Sequence, residues 1–163
     1  MRILLITLSV VLCCACSSSA LFEENRDLEN GIWLADSTQE FQFEINDRNK
    51  NYDIAVNLRN TLSYPYHNLY IKYDLFDENG KSVDSQMTEF NLFEQKTGKP
   101  LGSGIGDIYD HQLWLLSSYG FDEPGKYTLR LQQYMRLDSL EHILSIGLRV
   151  QSSVEDVEND TQE

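Results

Sequence analysis

Residues 53–75 read DIAVNLRNTLSYPYHNLYIKYDL, and two runs of alternation inside that stretch decide the fold. Ile54, Val56 and Leu58 alternate with Asp53, Ala55, Asn57 and Arg59. Leu69, Ile71, Tyr73 and Leu75 alternate with Tyr70, Lys72 and Asp74. An extended chain turns successive side chains to opposite faces, so this period predicts two strands, each with one dry face and one wet face. The period recurs further out, in Phe41, Phe43 and Ile45, in Tyr127, Leu129 and Leu131, and in Ile146, Leu148 and Val150. Turn chemistry lies between the runs. Residues 47–51 (DRNKN) join the Phe41 strand to the Ile54 strand as a polar hairpin turn. Asn79-Gly80 tolerates positive φ at both positions and predicts a hairpin between Leu75-Phe76 and Val83. Pro124-Gly125 introduces the Tyr127 strand. Helical periodicity is not sustained anywhere. The best helix candidate is short, residues 137–144, and residues 113–116 are ambiguous. The expected fold is all-β, a single antiparallel β-sandwich of immunoglobulin-like or jelly-roll-like kind over residues 31–151.

The N-terminus, MRILLITLSVVLCCAC over residues 1–16, has a different character. Arg2 makes a short basic head, and residues 3–15 are apolar apart from Thr7 and Ser9. That core is too short for a stable transmembrane helix and has the layout of a secretory signal over residues 1–15. Cys16 follows the small residue Ala15, the arrangement of a cysteine that becomes the acylated first residue of a lipoprotein. Cys14 is the alternative attachment site. The chain's three cysteines are Cys13, Cys14 and Cys16, so the folded part has no intramolecular disulfide and no thiolate ligand set. Residues 16–30 are polar and suggest a flexible tether. Residues 152–163 hold five acids and no base, and suggest a disordered acidic tail. No acidic run directly follows Cys16, which places the expected anchor on the periplasmic side of the outer membrane. With 13 Lys+Arg against 26 Asp+Glu, the formal net charge is −13. Such a chain repels phosphate backbones and acidic headgroups, so nucleic acid is excluded as a partner and membrane attachment is left to the lipid.

Catalytic and cofactor patterns are absent or broken. Asp47, Asn49 and Asn51 match the first calcium-loop positions, but Tyr52 stands where glycine is needed and Leu58 where the bidentate glutamate belongs. Residues 102–107 (GSGIGD) are not a phosphate loop. They lack the Lys-Ser/Thr pair, and Asp107 would oppose phosphate. A loop or bulged strand is the expected form, with Asp107 and Asp110 available to a cation or a partner's arginine. His67, His111 and His142 lie on different predicted elements. Ser63 and Ser117-Ser118 lack nucleophile-elbow context. No catalytic residue, cofactor or metal ligand is assigned. The aromatic-rich run Tyr64-Pro65-Tyr66-His67-Asn68-Leu69-Tyr70 reads either as packing over the sandwich end or as a platform for sugar or protein.

Several pieces together resemble the gliding-motility lipoprotein GldH family of Bacteroidetes. They are Trp33, Phe41-x-Phe43-x-Ile45, Leu58-Arg59-Asn60 with Tyr64-Pro65-Tyr66-x-Asn68-Leu69, Gly102-x-Gly104-x-Gly106-Asp107, Gln133-x-Met135-Arg136 and Gly147-Leu148-Arg149. The resemblance implies a non-enzymatic, lipid-anchored outer-membrane protein that contacts other proteins of a machine for gliding or linked type IX secretion. On that reading the candidate contact surface is Arg59, Tyr64, Tyr66 and Tyr70, with Asp107 on the neighbouring loop. A glycan-binding surface module is the alternative; it requires an open sheet face with exposed aromatics. A hydrolase would require a Ser–His–acid cluster in one pocket.

Overall fold

The computed structural model describes residues 20–153. The signal segment, Cys14 and Cys16, and residues 154–163 of the acidic tail lie outside the described residues. Eleven strands follow one another: β1 (Ala20–Asp27), β2 (Ile32–Leu34), β3 (Gln39–Ile45), β4 (Asn51–Thr61), β5 (Asn68–Phe76), β6 (Ser82–Asn91), β7 (Ser103–Ile105), β8 (Ile108–Gly120), β9 (Gly125–Gln133), β10 (Ser139–Glu141) and β11 (Ile143–Ser152). All pairings are antiparallel. One sheet has the order β1-β11-β4-β8-β7, the second β3-β9-β5-β6, and β10-β2 forms a small pair. The predicted all-β antiparallel sandwich is what the chain forms.

The alternation seen in the sequence selects the interior. Ile54, Val56 and Leu58 from β4 and Ile146, Leu148 and Val150 from β11 are buried from one sheet. Ile71, Tyr73 and Leu75 from β5 and Leu129 and Leu131 from β9 are buried from the other. Each fully buried Leu or Ile contributes about 1.5–3 kcal/mol relative to exposure. Trp33 of β2 stands opposite Leu140 of β10, and both are buried. The Trp33 indole N–H donates to the Ser37 carbonyl at 3.0 Å, so its polar atom is satisfied inside. At the other end Phe43, Tyr52, Phe121 and Tyr127 form an aromatic cluster, with Phe121 and Tyr127 centroids 4.5 Å apart.

Edge strands carry charge where the interior thins. Glu24 and Arg26 of β1 pair at 2.7 Å, and the Arg26 guanidinium lies 4.4 Å from the Phe41 ring centroid. On β6, Asp84 accepts the Tyr73 hydroxyl at 2.9 Å. Charged side chains at these positions discourage further strands from adding at the edge.

Four expectations change. The tether expected over residues 16–30 is strand from Ala20 to Asp27, paired along β11. Its polarity misled because an edge strand buries little beyond Phe22, which packs on Phe43. The helix candidate at 137–144 is instead β10, a turn at His142 with φ +69° and the start of β11. The spacing of Leu137, Leu140 and Leu144 imitates a helical face, but pairing with β2 wins. Residues 113–116 belong to β8. Residues 47–51 do connect β3 to β4, yet those strands lie in different sheets, so the turn crosses the sandwich rather than closing a hairpin. Ser152 and Ser153, expected in the tail, belong to the fold: Ser152 ends β11 and the Ser153 N–H donates to the Asn51 carbonyl. The Asn79-Gly80 hairpin and the Pro124-Gly125 strand entry form as expected.

A chain starting at Leu28 should show a clearly lower urea midpoint by circular dichroism than one starting at Ser17, because removing β1 uncovers the β11 edge. A mere tether would leave the midpoint unchanged.

Candidate functional site

Cross-strand pairing arranges the outward side chains of the five-stranded sheet in rows. One row runs Glu23, Arg149, Ala55, Trp114, and the next Asn25, Gly147, Asn57, Gln112. A third runs Asp27, Ser145, Arg59, Asp110, Ser103. A shallow polar depression of about 430 Å³ lies on this face, lined by Asn25, Asn57, Arg59, Asp110 and Ser145 among others. Gly147 is required by close approach: a Cβ there would run into Asn25 Oδ1 and the Glu24 carbonyl. Across that gap Asn57 Nδ2 donates to Glu23 Oε1 at 2.9 Å and Asn25 Oδ1 at 3.2 Å.

Four of the charges on this face are committed to one another. Arg149 reaches Glu23 Oε2 at 2.6 Å. Arg59 makes a bidentate contact to Asp110, Nε to Oδ1 at 2.7 Å and Nη2 to Oδ2 at 3.3 Å. The Asp110 hydrogen bond and charge push the Arg59 pKa above its ordinary value. Exposed pairs of this kind add about 0–1 kcal/mol each, so they shape the surface more than they stabilise it.

The GSGIGD run forms β7 and the turn into β8, in keeping with the expected loop or bulged strand. Gly106 holds φ +72° at the turn. Asp107 follows it, and its carbonyl accepts the Leu62 N–H at 2.7 Å, tying the hairpin to the loop after β4. Ile105, at the hairpin tip, is 93% exposed.

The five contact residues expected from sequence do not share one surface. Arg59 and Asp107 lie at the same end of the five-stranded sheet, and Tyr66 sits in the adjoining loop, 38% exposed. Tyr64 is buried. Its hydroxyl donates to the Asn68 carbonyl at 2.9 Å, and its ring stacks on Phe93 and meets Tyr66 edge-on. Burial, then the neighbouring Tyr66, raises its phenol far above the ordinary range. Tyr70 stands on the outer face of the four-stranded sheet, opposite Glu89, whose hydrogen bond raises the Tyr70 phenol. The chain crosses between sheets from Thr61 to Asn68, so residues close in sequence separate in space.

The histidines do not converge either. His111 points into the sandwich beside Leu58, buried, with Nε2 lacking a partner. His142 Nδ1 lies 3.2 Å from Thr61 Oγ1, linking the turn before β11 to the end of β4. The His67 carbonyl accepts the N–H groups of Leu92 and Phe93. Among the described residues, no group of three or more His, Cys, Asp or Glu side chains is placed to hold a metal ion. Asp47 Oδ1 accepts the Asn49 N–H at 2.9 Å, a local turn in place of a calcium loop.

Residues 20–150 match the family described as GldH lipoprotein. The chain belongs to the GldH lipoprotein family. It is 30% identical to the gliding motility lipoprotein GldH homolog of Christiangramia forsetii over 152 residues, covering 89% of this chain and 91% of that protein. It is 25% identical to the gliding motility lipoprotein GldH of Flavobacterium johnsoniae over 158 residues, covering 90% and 94%. Among solved structures, the infectious bursal disease virus VP2 subviral particle gives a TM-score of 0.38 at 15% identity, covering 83% of this chain and 31% of that one. A likeness that slight carries no argument.

For this GldH-family chain, sequence reasoning named Arg59 and Asp107, which lie at one end of this sheet, but not Asn25, Asn57 or the Asp110 pairing to Arg59. The available signal was parity: Asn57 and Arg59 share the wet face of one strand, and Asp110 and Gln112 share that of another.

Gly147→Val should displace Asn25 and cost roughly 1–3 kcal/mol by overpacking. Hydrogen exchange should then show faster exchange in β1 and β11, while β5 and β9 keep their protection. Burial of His111 lowers its pKa from the ordinary 6.5, opposed by Asp110. As pH falls through that ordinary value, the unfolded chain takes a proton that the folded one refuses, so stability drops. His111→Leu should flatten the loss of urea stability between about pH 7 and pH 5. An unchanged slope would show that His111 titrates alike in both states.

Proposed function

We propose that this GldH-family chain is a non-enzymatic lipoprotein of the cell envelope. It is acylated at Cys16, held at the outer membrane on the periplasmic side, and works through protein contacts in a machine for gliding or linked type IX secretion. The observation that carries the reading is the near full-length match to lipoproteins whose names assign them to gliding motility. The sequence around Cys16 agrees with it, a basic head and short apolar core ending on Ala15-Cys16. The sheet face described above is consistent with it too, because Arg59 pairs with Asp110 and Arg149 with Glu23 in an open depression. General acid–base work needs groups free to reach a substrate proton.

The second reading, a glycan-binding module, draws support from Trp114, which is 42% exposed at the end of a polar row. Sugar recognition on such a face requires further aromatic platforms, and Tyr64 is buried while Tyr70 lies on the opposite sheet.

Cys16→Ser should abolish acylation, read by mass spectrometry of the N-terminal peptide, and move the protein from the membrane to the soluble fraction. Cys14→Ser should leave both unchanged. Affinity capture from detergent-solubilised membranes should recover other gliding or secretion components. Specific binding on a glycan array with no such recovery would instead establish the sugar-binding reading.

A further inference from the structure

Chain connectivity gives the sandwich two unlike ends. Cys16 and the first residue of β1, Ala20, are four residues apart, so their connection spans at most about 14 Å. β1 begins at the end that also carries the β3–β4, β5–β6 and β8–β9 turns. β4 runs 11 residues from that end to the other, roughly 35 Å of extended chain. An acyl chain on Cys16 therefore holds the first end against the bilayer and leaves the second pointing away from it.

Exposed apolar side chains gather at the second end. Ile105 is 93% exposed, Leu101 58%, Leu62 49%, Ile108 39% and Tyr66 38%. Backbone contacts make them neighbours: Ile105 pairs with Ile108, Leu62 bonds to Asp107, and Leu101 bonds to Leu92, which bonds to His67. The turns of the first end present Asp47, Asp77, Glu78, Asp122 and Glu123, and among the described residues its exposed large apolar side chains are Leu21 and Val83, each on an edge strand. A contiguous apolar patch rimmed by polar groups marks an interaction site.

We propose that the β7–β8 hairpin end is the docking surface for another envelope protein, which presents an apolar patch to it. This rests on acylation at Cys16 and on the protein-contact reading above. The bilayer is not the occupant, because the tether fastens the opposite end to it. Sugar is not the occupant, because isoleucine and leucine offer no hydrogen bonds to hydroxyls. The charges around the patch are mixed, Asp107 at the tip and Lys96 and Lys99 in the loop before Leu101, so the apolar side chains carry the contact. Ile105 is the expected anchor of the contact, with Leu62 and Ile108 beside it.

The test places a photoreactive amino acid at position 49, 66, 105 or 112 of the full-length lipoprotein in its native cells. Positions 66 and 105 should give adducts with the same foreign protein, and positions 49 and 112 should not. The double variant Leu62→Ser, Ile108→Ser should lower the adduct yield at 105 by roughly tenfold. Leu62→Met, Ile108→Leu should retain it, with circular dichroism confirming the fold of both. In vesicles of phosphatidylethanolamine and phosphatidylglycerol bearing a headgroup quencher, a fluorophore on Asn49→Cys should be quenched and one on Ile105→Cys should not. Protein adducts confined to 49 or 112, or formed only between copies of this chain, would overturn the surface while leaving the protein-contact reading intact. Equal quenching at 49 and 105 would overturn the orientation. No protein adduct at any position would overturn both readings.

Discussion

Two apolar sheet faces must find each other for this fold to hold together. Its cysteines are confined to positions 13, 14 and 16, so no disulfide can close a loop within the folded part. Among the described residues no metal cluster substitutes for one. Stability therefore rests on burying the inward side chains of β4 and β11 against those of β5 and β9. Trp33 and Leu140 add to this interior near one end, and the Phe121 aromatic cluster does so near the other.

That requirement fixes what remains for the outside. A strand that commits alternate residues to the interior leaves the others in a regular outward lattice. On the five-stranded sheet the lattice is mostly polar, and two of its ion pairs, Arg59–Asp110 and Arg149–Glu23, bridge neighbouring strands. Gly147 shows how closely the two sides are coupled. Its neighbours Ile146 and Leu148 point into the core, while the missing side chain outside lets Asn25 and Asn57 meet across β11. The strand is tuned for packing on one face and for surface shape on the other.

Connectivity also makes the molecule directional. β1 enters at one end close behind Cys16, and the glycine-bearing β7–β8 hairpin projects Ile105 at the other. β1 packs Phe22 on core Phe43, whereas Ile105, almost fully exposed, adds nothing to the core. An entry strand at one end and a projecting apolar hairpin at the other suit the orientation proposed above.

By itself the sequence determined the class of fold, the principal strands and the main turns, because side-chain alternation and the backbone freedom of Asn79-Gly80 are local properties. It also determined which residues of those strands are dry. Pairing belongs to the tertiary structure alone. Only there does polar β1 become an edge strand on β11, residues 137–144 give up an apparent helical face to pair with β2, and residues 47–51 cross between sheets. The aromatic run shows the same limit at the candidate site. Tyr64, Tyr66 and Tyr70 look like one platform along the chain, yet one is buried, one is exposed at the end and one lies on the far sheet. The physical reason is that a strand's period says which side chains share a face, whereas which face meets water depends on what packs against it from far along the chain.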